Sequence, residues 1–318
     1  MKIVVLDGHT LNPGDNSWEG VEALGATAVH ARTATADIVS RASDADIVLT
    51  NKTPLTRQTI GQLPKLKFIS VLATGFNVVD TAAARERNIP VSNVPIYGTD
   101  TVAQHVFAVL LHLIHRSGEH DAAVRAGEWQ KRQDFSFWLS TLTELAGKTM
   151  GIVGFGRIGR KTAEIAHAFG MKVIAHDVYQ STPPTYDRFS WSSIDDLFRQ
   201  SDVVSLHCPQ TSDNKQFVNG QLISKMKPTA ILINAARGTL VNEAELAGAL
   251  NAGRIAGACL DVVSTEPIAS DNPLLKAKNC LITPHMAWAA VEARRRLMAT
   301  TAENIAAFQQ GKPINVVN

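Results

Sequence analysis

The sequence predicts an α/β protein of two lobes, each a doubly wound parallel sheet with helices on both faces. Three observations carry that expectation. The chain has 318 residues, enough for about two domains at roughly 150 residues each. Short β-branched runs recur along it, with amphipathic, capped helical patterns between several of them. A long helical pattern, Thr101 to Ser117, and an aromatic-bearing stretch, Trp129 to Leu139, divide those runs into two sets.

The first set of runs is Ile3 to Leu6, Asp46 to Thr50 and Phe68 to Leu72. The second is Met150 to Val153, Lys172 to His176, Val203 to His207, Ala230 to Asn234, Ile255 to Leu260 and Cys280 to Thr283. Each is bounded by turn or cap residues, as buried strands are. Between them, the pattern Ile158 to Phe169 stops at Gly170. Glu243 to Asn251 opens with Asn242 and Glu245 at capping-box spacing and closes at Gly253. A final helix, Ala290 to Gln310, ends at Gly311. It follows the second set, and its pattern fits either a cap on the second lobe or a crossing back to the first.

Composition narrows the class. Hydrophobic residues are 45% and charged residues 19% of the chain, which is ordinary globular usage and excludes a disordered or fibrous protein. Lysine and arginine (31) nearly balance aspartate and glutamate (29), and the charges are dispersed. No basic stripe points to nucleic acid or anionic lipid, so a small molecule is the expected partner. Cys208, Cys259 and Cys280 are odd in number and lack metal-ligand spacing, which argues for a reducing compartment and no bound metal. The opening MKIVVLD lacks the features of a signal peptide. The longest apolar stretch, Val106 to Ile114, is too short to span a bilayer. The expectation is a soluble cytoplasmic protein with no membrane partner.

Residues 151 to 160 read GIVGFGRIGR, which sets Gly154, Gly156 and Gly159 in G-x-G-x-x-G after a predicted strand and before a predicted helix. The first glycine permits a tight turn and the second lets the backbone approach a pyrophosphate. The third allows close packing, and the helix N-terminus offers N–H groups to phosphate. Asp177 ends the next strand, eighteen positions after Gly159, where a carboxylate accepts hydrogen bonds from an adenosine ribose. Its charge would repel a 2′-phosphate, so the expected cofactor is NAD rather than NADP. Arg157 sits in the loop and fits a role over the pyrophosphate.

Three side chains just beyond strand ends of the second lobe suit proton movement beside a hydride. Arg237 follows ILINAA, Glu266 lies in DVVSTEP, and His285 follows LITP. An arginine fork recognises a carboxylate, a histidine exchanges a proton near neutrality, and a neighbouring carboxylate fixes its tautomer. Together with NAD they fit reduction of a 2-keto acid. In the first lobe, Ala73 to Asn77 is a glycine-containing turn after a strand, able to form an anion-binding nest. Asn51 and Lys52 follow another strand, and Lys52 reads also as a solvated surface lysine.

GIVGFGRIGR, LHCPQT, NAARGTLVNEAELAGAL, CLDVVSTEP and ITPHMAWA, in that order, resemble the D-isomer-specific 2-hydroxyacid dehydrogenases over essentially the whole chain. ITPHMAWA with TNKTPLT is most similar to the glycerate dehydrogenase/hydroxypyruvate reductase branch. The resemblance implies a catalytic set of Arg237, Glu266 and His285, with Glu266 partnering the histidine. It also implies a Rossmann NAD domain, residues 99–285, inserted into a flavodoxin-like substrate domain of residues 1–98 and 286–318. That assigns the final helix to the first lobe. Thr74 and Gly75 then hold the substrate carboxylate with Arg237, Asn51 and Lys52 face the substrate cleft, and Trp288 walls the substrate site. Thr74, Arg157, Ile158, Cys208 and Ala235 lie along the cofactor, and Asp261 binds the nicotinamide carboxamide. Cys208 reads as packing rather than redox chemistry. Phe135, Phe137 and Trp138 resemble an arm that packs on a partner subunit, giving a homodimer; a local mini-core is the other reading.

The expected reaction is NADH-dependent reduction of hydroxypyruvate or glyoxylate to the D-2-hydroxy acid. Another 2-keto acid, phosphorylated or not, is the alternative substrate, although the first lobe shows only scattered cations for a phosphate. Formate oxidation fits less well, because Glu266 stands where the resembling formate dehydrogenases carry glutamine. From a different class, the resemblance also admits an NADH-sensing binding protein of the same fold, a reading disfavoured by the lack of a polar disordered tail.

Overall fold

The computed structural model describes residues 1–180 and 182–318. They form two compact units, Met1–Gly98 with Trp288–Asn318, and Thr99–Ala287.

The first unit is built on five parallel strands, β1 (Lys2–Val5), β2 (Ala26–Val29), β3 (Ile47–Thr50), β4 (Phe68–Val71) and β5 (Val91–Ser92). Their order is β2-β1-β3-β4-β5. All residues of β3 and β4 are buried, Thr50 and Ser70 included, as largely apolar strands are when helices cover both faces. Sequence pattern missed β2, whose ATAV is half exposed at a sheet edge, and β5, which is two residues long.

Of the two placements open to the final helix, the structure shows packing on this first sheet. Leu297, Met298 and Ile305 of the helix Val291–Gln309 join a core with Ile3, Val5 and Phe68. The Phe308 ring stacks on Phe68 with centroids 4.5 Å apart. Arg294, almost fully buried, forms a bidentate pair with Asp15 at 2.5 and 2.6 Å and donates to the Leu11 carbonyl. Beyond the helix, Val316 bridges Ser92 in antiparallel fashion, and the Asn318 side chain accepts from the Val91 amide.

The second unit carries seven parallel strands, β6 (Thr149–Val153), β7 (Lys172–His176), β8 (Phe189–Trp191), β9 (Val203–Leu206), β10 (Ile231–Asn234), β11 (Gly257–Leu260) and β12 (Cys280–Ile282). They lie in the order β12-β11-β10-β9-β6-β7-β8. Adjacent residues alternate between the two covered faces. Val153, Leu206, Leu232 and Leu260 fill one apolar cluster, while Ile152, Ile233 and Cys259 fill the other. Strand β8 escaped the sequence pattern because its FSW is short and none of it is fully buried.

Two helical expectations need correction. The pattern Thr101 to Ser117 is a helix Thr99–His115 that ends at Arg116, whose φ of 47° is left-handed, before a second helix Ser117–Arg125. The capping box before Glu243–Asn251 forms only half. Asn242 accepts from the Glu245 amide at 3.2 Å, but the Glu245 carboxylate turns away to the Gly220 amide.

In each sheet the strand order reverses once, between β1 and β3 and between β6 and β9. Ligands of open α/β sheets bind beyond the carboxyl ends of the strands at such points.

Candidate active site

At the second reversal, strand β6 runs into the turn 154–156 and then the helix Arg157–Ala168. Gly154 has φ +92°, and a Cβ there would lie 2.4 Å from the Cys208 amide nitrogen, so β6 and β9 approach as closely as glycine permits. A Cβ on Gly159 would meet the Gly154 carbonyl at 2.1 Å, so the helix packs directly on its own entry turn. Gly156 differs. Its backbone is extended, and a Cβ on it would meet nothing within 4 Å. It is also the helix N-cap, with no side-chain capping bond. Open space before an uncapped, positively polarised helix end fits a dinucleotide pyrophosphate. Arg157 is exposed and Ile158 half-buried beside it.

Asp177, just past β7, accepts from the Phe155 amide at 2.6 Å and the Tyr179 amide at 3.1 Å. These bonds set its carboxylate against the glycine turn. Cys208 is packed against the core, and burial pushes its thiol up to about 11, which leaves it inert at neutral pH. The neighbouring His207 bonds Ser205 Oγ at 2.9 Å, and desolvation pushes its pKa down to about 4. Ala235, just past β10, is half-buried.

The loops after β10, β11 and β12 carry the three candidate catalytic residues. His285 Nδ1 lies 2.6 Å from Glu266 Oε2, within a hydrogen bond. The carboxylate holds the proton on Nδ1, which leaves Nε2 for exchange with a ligand. Arg237 is exposed and donates to the Ala236 carbonyl. Its turn abuts the Glu266 loop, since a Cβ on Gly238 would lie 1.9 Å from the Val263 carbonyl carbon. Asn234 pins the same turn through the Arg237 carbonyl at 2.9 Å. Glu243 steadies the Glu266 loop, accepting from the Ser264 amide, the Ser264 hydroxyl and the Asn272 side chain at 2.6, 2.8 and 2.9 Å. Asp261 is buried at the end of β11, with both carboxylate oxygens engaged by residues 283–287.

The remaining candidates belong to the first unit. Thr74 is exposed with its hydroxyl on the Val94 carbonyl at 2.8 Å, and Gly75 beside it is half-buried. Asn51 is buried and bonds Thr10 Oγ1 at 3.1 Å, whereas the Lys52 side chain is exposed. The backbone amides of Asn51, Lys52 and Thr53 all donate to the Asp7 carboxylate, at 2.8, 2.5 and 2.7 Å. Sequence reasoning missed Asp7, although it ends a strand as Asp177 does. Trp288 meets Tyr97 edge to face with centroids 6.3 Å apart. In the second unit, Phe135 and Trp138 are 90% and 67% exposed, while Phe137 lies under the Arg132 guanidinium. Among the described residues no three metal-ligating side chains cluster, and no helix is long and apolar enough to cross a membrane.

A doubly wound sheet with a glycine turn at its switch point, and a histidine–carboxylate pair on neighbouring strand ends, defines a dinucleotide-dependent oxidoreductase. The family model for the NAD-binding domain of D-isomer-specific 2-hydroxyacid dehydrogenases matches residues 107–287. A hydroxypyruvate reductase of Blautia hydrogenotrophica is 50% identical over all of both chains. A glycerate dehydrogenase of Methylorubrum extorquens is 41% identical over 88% of each. Among solved structures, an acyclic imino acid reductase in complex with NADPH and D-Arg superposes over all of both chains with a TM-score of 0.86 at 32% identity. The chain belongs to the D-isomer-specific 2-hydroxyacid dehydrogenases, and it is an NAD-dependent oxidoreductase.

Proposed function

We propose that this enzyme reduces hydroxypyruvate, and glyoxylate as a smaller analogue, to the D-2-hydroxy acid, with NADH preferred over NADPH. The observation that carries the chemistry is the 2.6 Å hydrogen bond between His285 Nδ1 and Glu266 Oε2 beside the Arg237 turn. Full-length similarity to a hydroxypyruvate reductase supports the choice of acid.

Bound at the glycine turn, the cofactor supplies the hydride. Arg237 pairs with the substrate carboxylate through its planar fork, which orients the keto group. His285 donates its Nε2 proton to the keto oxygen as negative charge develops there, and Glu266 stabilises the imidazolium before that transfer. In the oxidative direction the same nitrogen accepts the proton. The proposal extends to Thr74 and Gly75 of the first unit as carboxylate donors, with Asn51, Lys52 and Trp288 on the substrate side. Thr74, Arg157, Ile158, Cys208, Ala235 and Asp261 complete the proposed cofactor contacts. The Asp177 carboxylate, held at the end of β7, would repel a ribose 2′-phosphate and so supports NADH.

Exposed Phe135 and Trp138 support a homodimer, and three unpaired cysteines support a cytoplasmic setting. Sedimentation of the wild type and Trp138→Glu tests the dimer, which the substitution should dissociate. The function itself is tested by NADH loss against hydroxypyruvate, glyoxylate, pyruvate, phosphohydroxypyruvate and oxaloacetate. The highest kcat/KM should fall on hydroxypyruvate, and a preference for phosphohydroxypyruvate would overturn the substrate reading.

A further inference from the structure

His285 is not in an ordinary backbone conformation. Its φ is 53°, in the left-handed region that few residues other than glycine occupy, although histidine enters it more readily than most, so its neighbours decide whether it stays there. The enforcing groups come largely from one side chain. Asp261, buried at the end of β11, accepts at Oδ1 from the Met286 amide at 2.9 Å and from the Thr283 hydroxyl at 2.6 Å. Its Oδ2 accepts from the Ala287 amide at 2.9 Å, and its own carbonyl accepts from the His285 amide at 2.8 Å. One residue therefore grips the segment before, at and after the histidine.

A second residue reaches this grip from outside the strand-end loops. His105, on the helix Thr99–His115, places Nε2 3.2 Å from Thr283 Oγ1 and 3.5 Å from Asp261 Oδ1. Proton counting sets the direction of each bond. A carboxylate only accepts, so the single Thr283 hydroxyl proton goes to Asp261. The Thr283 oxygen is then the acceptor toward His105, which must carry its proton on Nε2. The chain His105 to Thr283 to Asp261 is thereby fully directed, with its carboxylate 2% and its histidine 13% exposed. Buried polar groups satisfied in one direction hold a single geometry.

We propose that His105, Thr283 and Asp261 form a positioning relay that fixes the left-handed turn at His285, and so aligns its imidazole with Glu266 for proton transfer. The inference rests on the reading of His285 as the proton donor. Misplacing a reacting group by about 1 Å costs up to ~10²-fold in rate, so the relay acts on kcat, and the test falls on Thr283 and His105 because Asp261 is itself a proposed cofactor contact.

The test is steady-state reduction of hydroxypyruvate by the full chain, with Thr283→Val, Thr283→Ser, His105→Phe, His105→Gln and His285→Asn. Thr283→Val should lower kcat roughly ten- to a hundredfold while the KM for NADH stays near wild type. Thr283→Ser, which keeps the hydroxyl, should recover most of the loss. If Thr283→Val does not fold, the His105 pair carries the same test: phenylalanine removes the donor and should lower kcat, whereas glutamine retains an N–H and should recover it. A wild-type kcat in both Thr283→Val and His105→Phe, or a serine variant as impaired as valine, overturns the relay. Retained turnover in His285→Asn overturns the proton-donor reading beneath it. An inactive His285→Asn beside fully active Thr283→Val and His105→Phe overturns the relay alone.

Discussion

The two units solve one topological problem in opposite ways. Each is a parallel sheet whose strand order reverses once, and each reversal gathers backbone amides at the carboxyl ends of two strands. In the first unit those amides are satisfied from within, because Asp7 at the end of β1 accepts from Asn51, Lys52 and Thr53 after β3. In the second unit the equivalent place holds Gly156, an uncapped helix start and open space. An internal carboxylate takes the backbone amides of the first reversal and leaves only side chains there, such as that of Lys52, for a ligand. The second is left for an external anion, so a doubly wound topology alone does not say which of its reversals binds a ligand.

Four outcomes sharpen or break that contrast, and the largest concerns catalysis. His285→Asn should lower kcat by at least ~10²-fold, the usual loss of a general acid, while the unfolding midpoint barely moves. The next is a pH effect on the second unit. Burial holds His207 near 4 in the folded protein, whereas a histidine in the unfolded chain titrates near 6.5. Between those values the unfolded state binds more protons, so stability falls as pH drops through that window and levels off below it. The loss is at most roughly 3 kcal/mol. Urea unfolding at pH 7.5 and 4.5 measures it, and His207→Gln should show a smaller difference between the two.

Asp7→Asn should cost about 2 kcal/mol, because an amide can no longer accept from all three backbone donors. A denaturant midpoint measures that loss, and the contrast requires NADH affinity to survive it. The smallest effect concerns cofactor choice. Asp177→Ala should shift the ratio of kcat/KM for NADH over NADPH toward NADPH by about tenfold, or ~1.4 kcal/mol, as charge repulsion is removed. An unchanged ratio would mean that Asp177 serves only to hold the Phe155 and Tyr179 amides.

Much of this was legible in the sequence, and what was not has physical reasons. The inner strands of both sheets are predominantly apolar runs buried on two faces, so pattern locates them. The edge strands β2 and β8 are partly exposed, and the two-residue β5 is too short to show a period. The glycine turn was legible because its three glycines answer to local packing and approach. Glu266 and His285 were legible as types at strand ends, and the fold brings the two side chains within a 2.6 Å hydrogen bond. Asp7 was not, since its bonds reach residues 44 to 46 positions away. His105 lies 178 positions from Thr283 on an apolar helix face, where a histidine carries no signal of its own.

The contrast between the two reversals is tested most directly by one paired titration. NADH is titrated by its fluorescence into the wild type, Gly156→Val and Asp7→Asn, with the unfolding midpoint of each recorded. Because a Cβ at Gly156 meets nothing within 4 Å and its backbone is extended, Gly156→Val should lower the midpoint only by the small cost of replacing a glycine N-cap. It should nonetheless lose at least about tenfold in NADH affinity, as the side chain enters the space left for the pyrophosphate. Asp7→Asn should do the reverse. Wild-type NADH affinity in Gly156→Val, or loss of it in Asp7→Asn at a temperature where that variant is folded, would contradict the account.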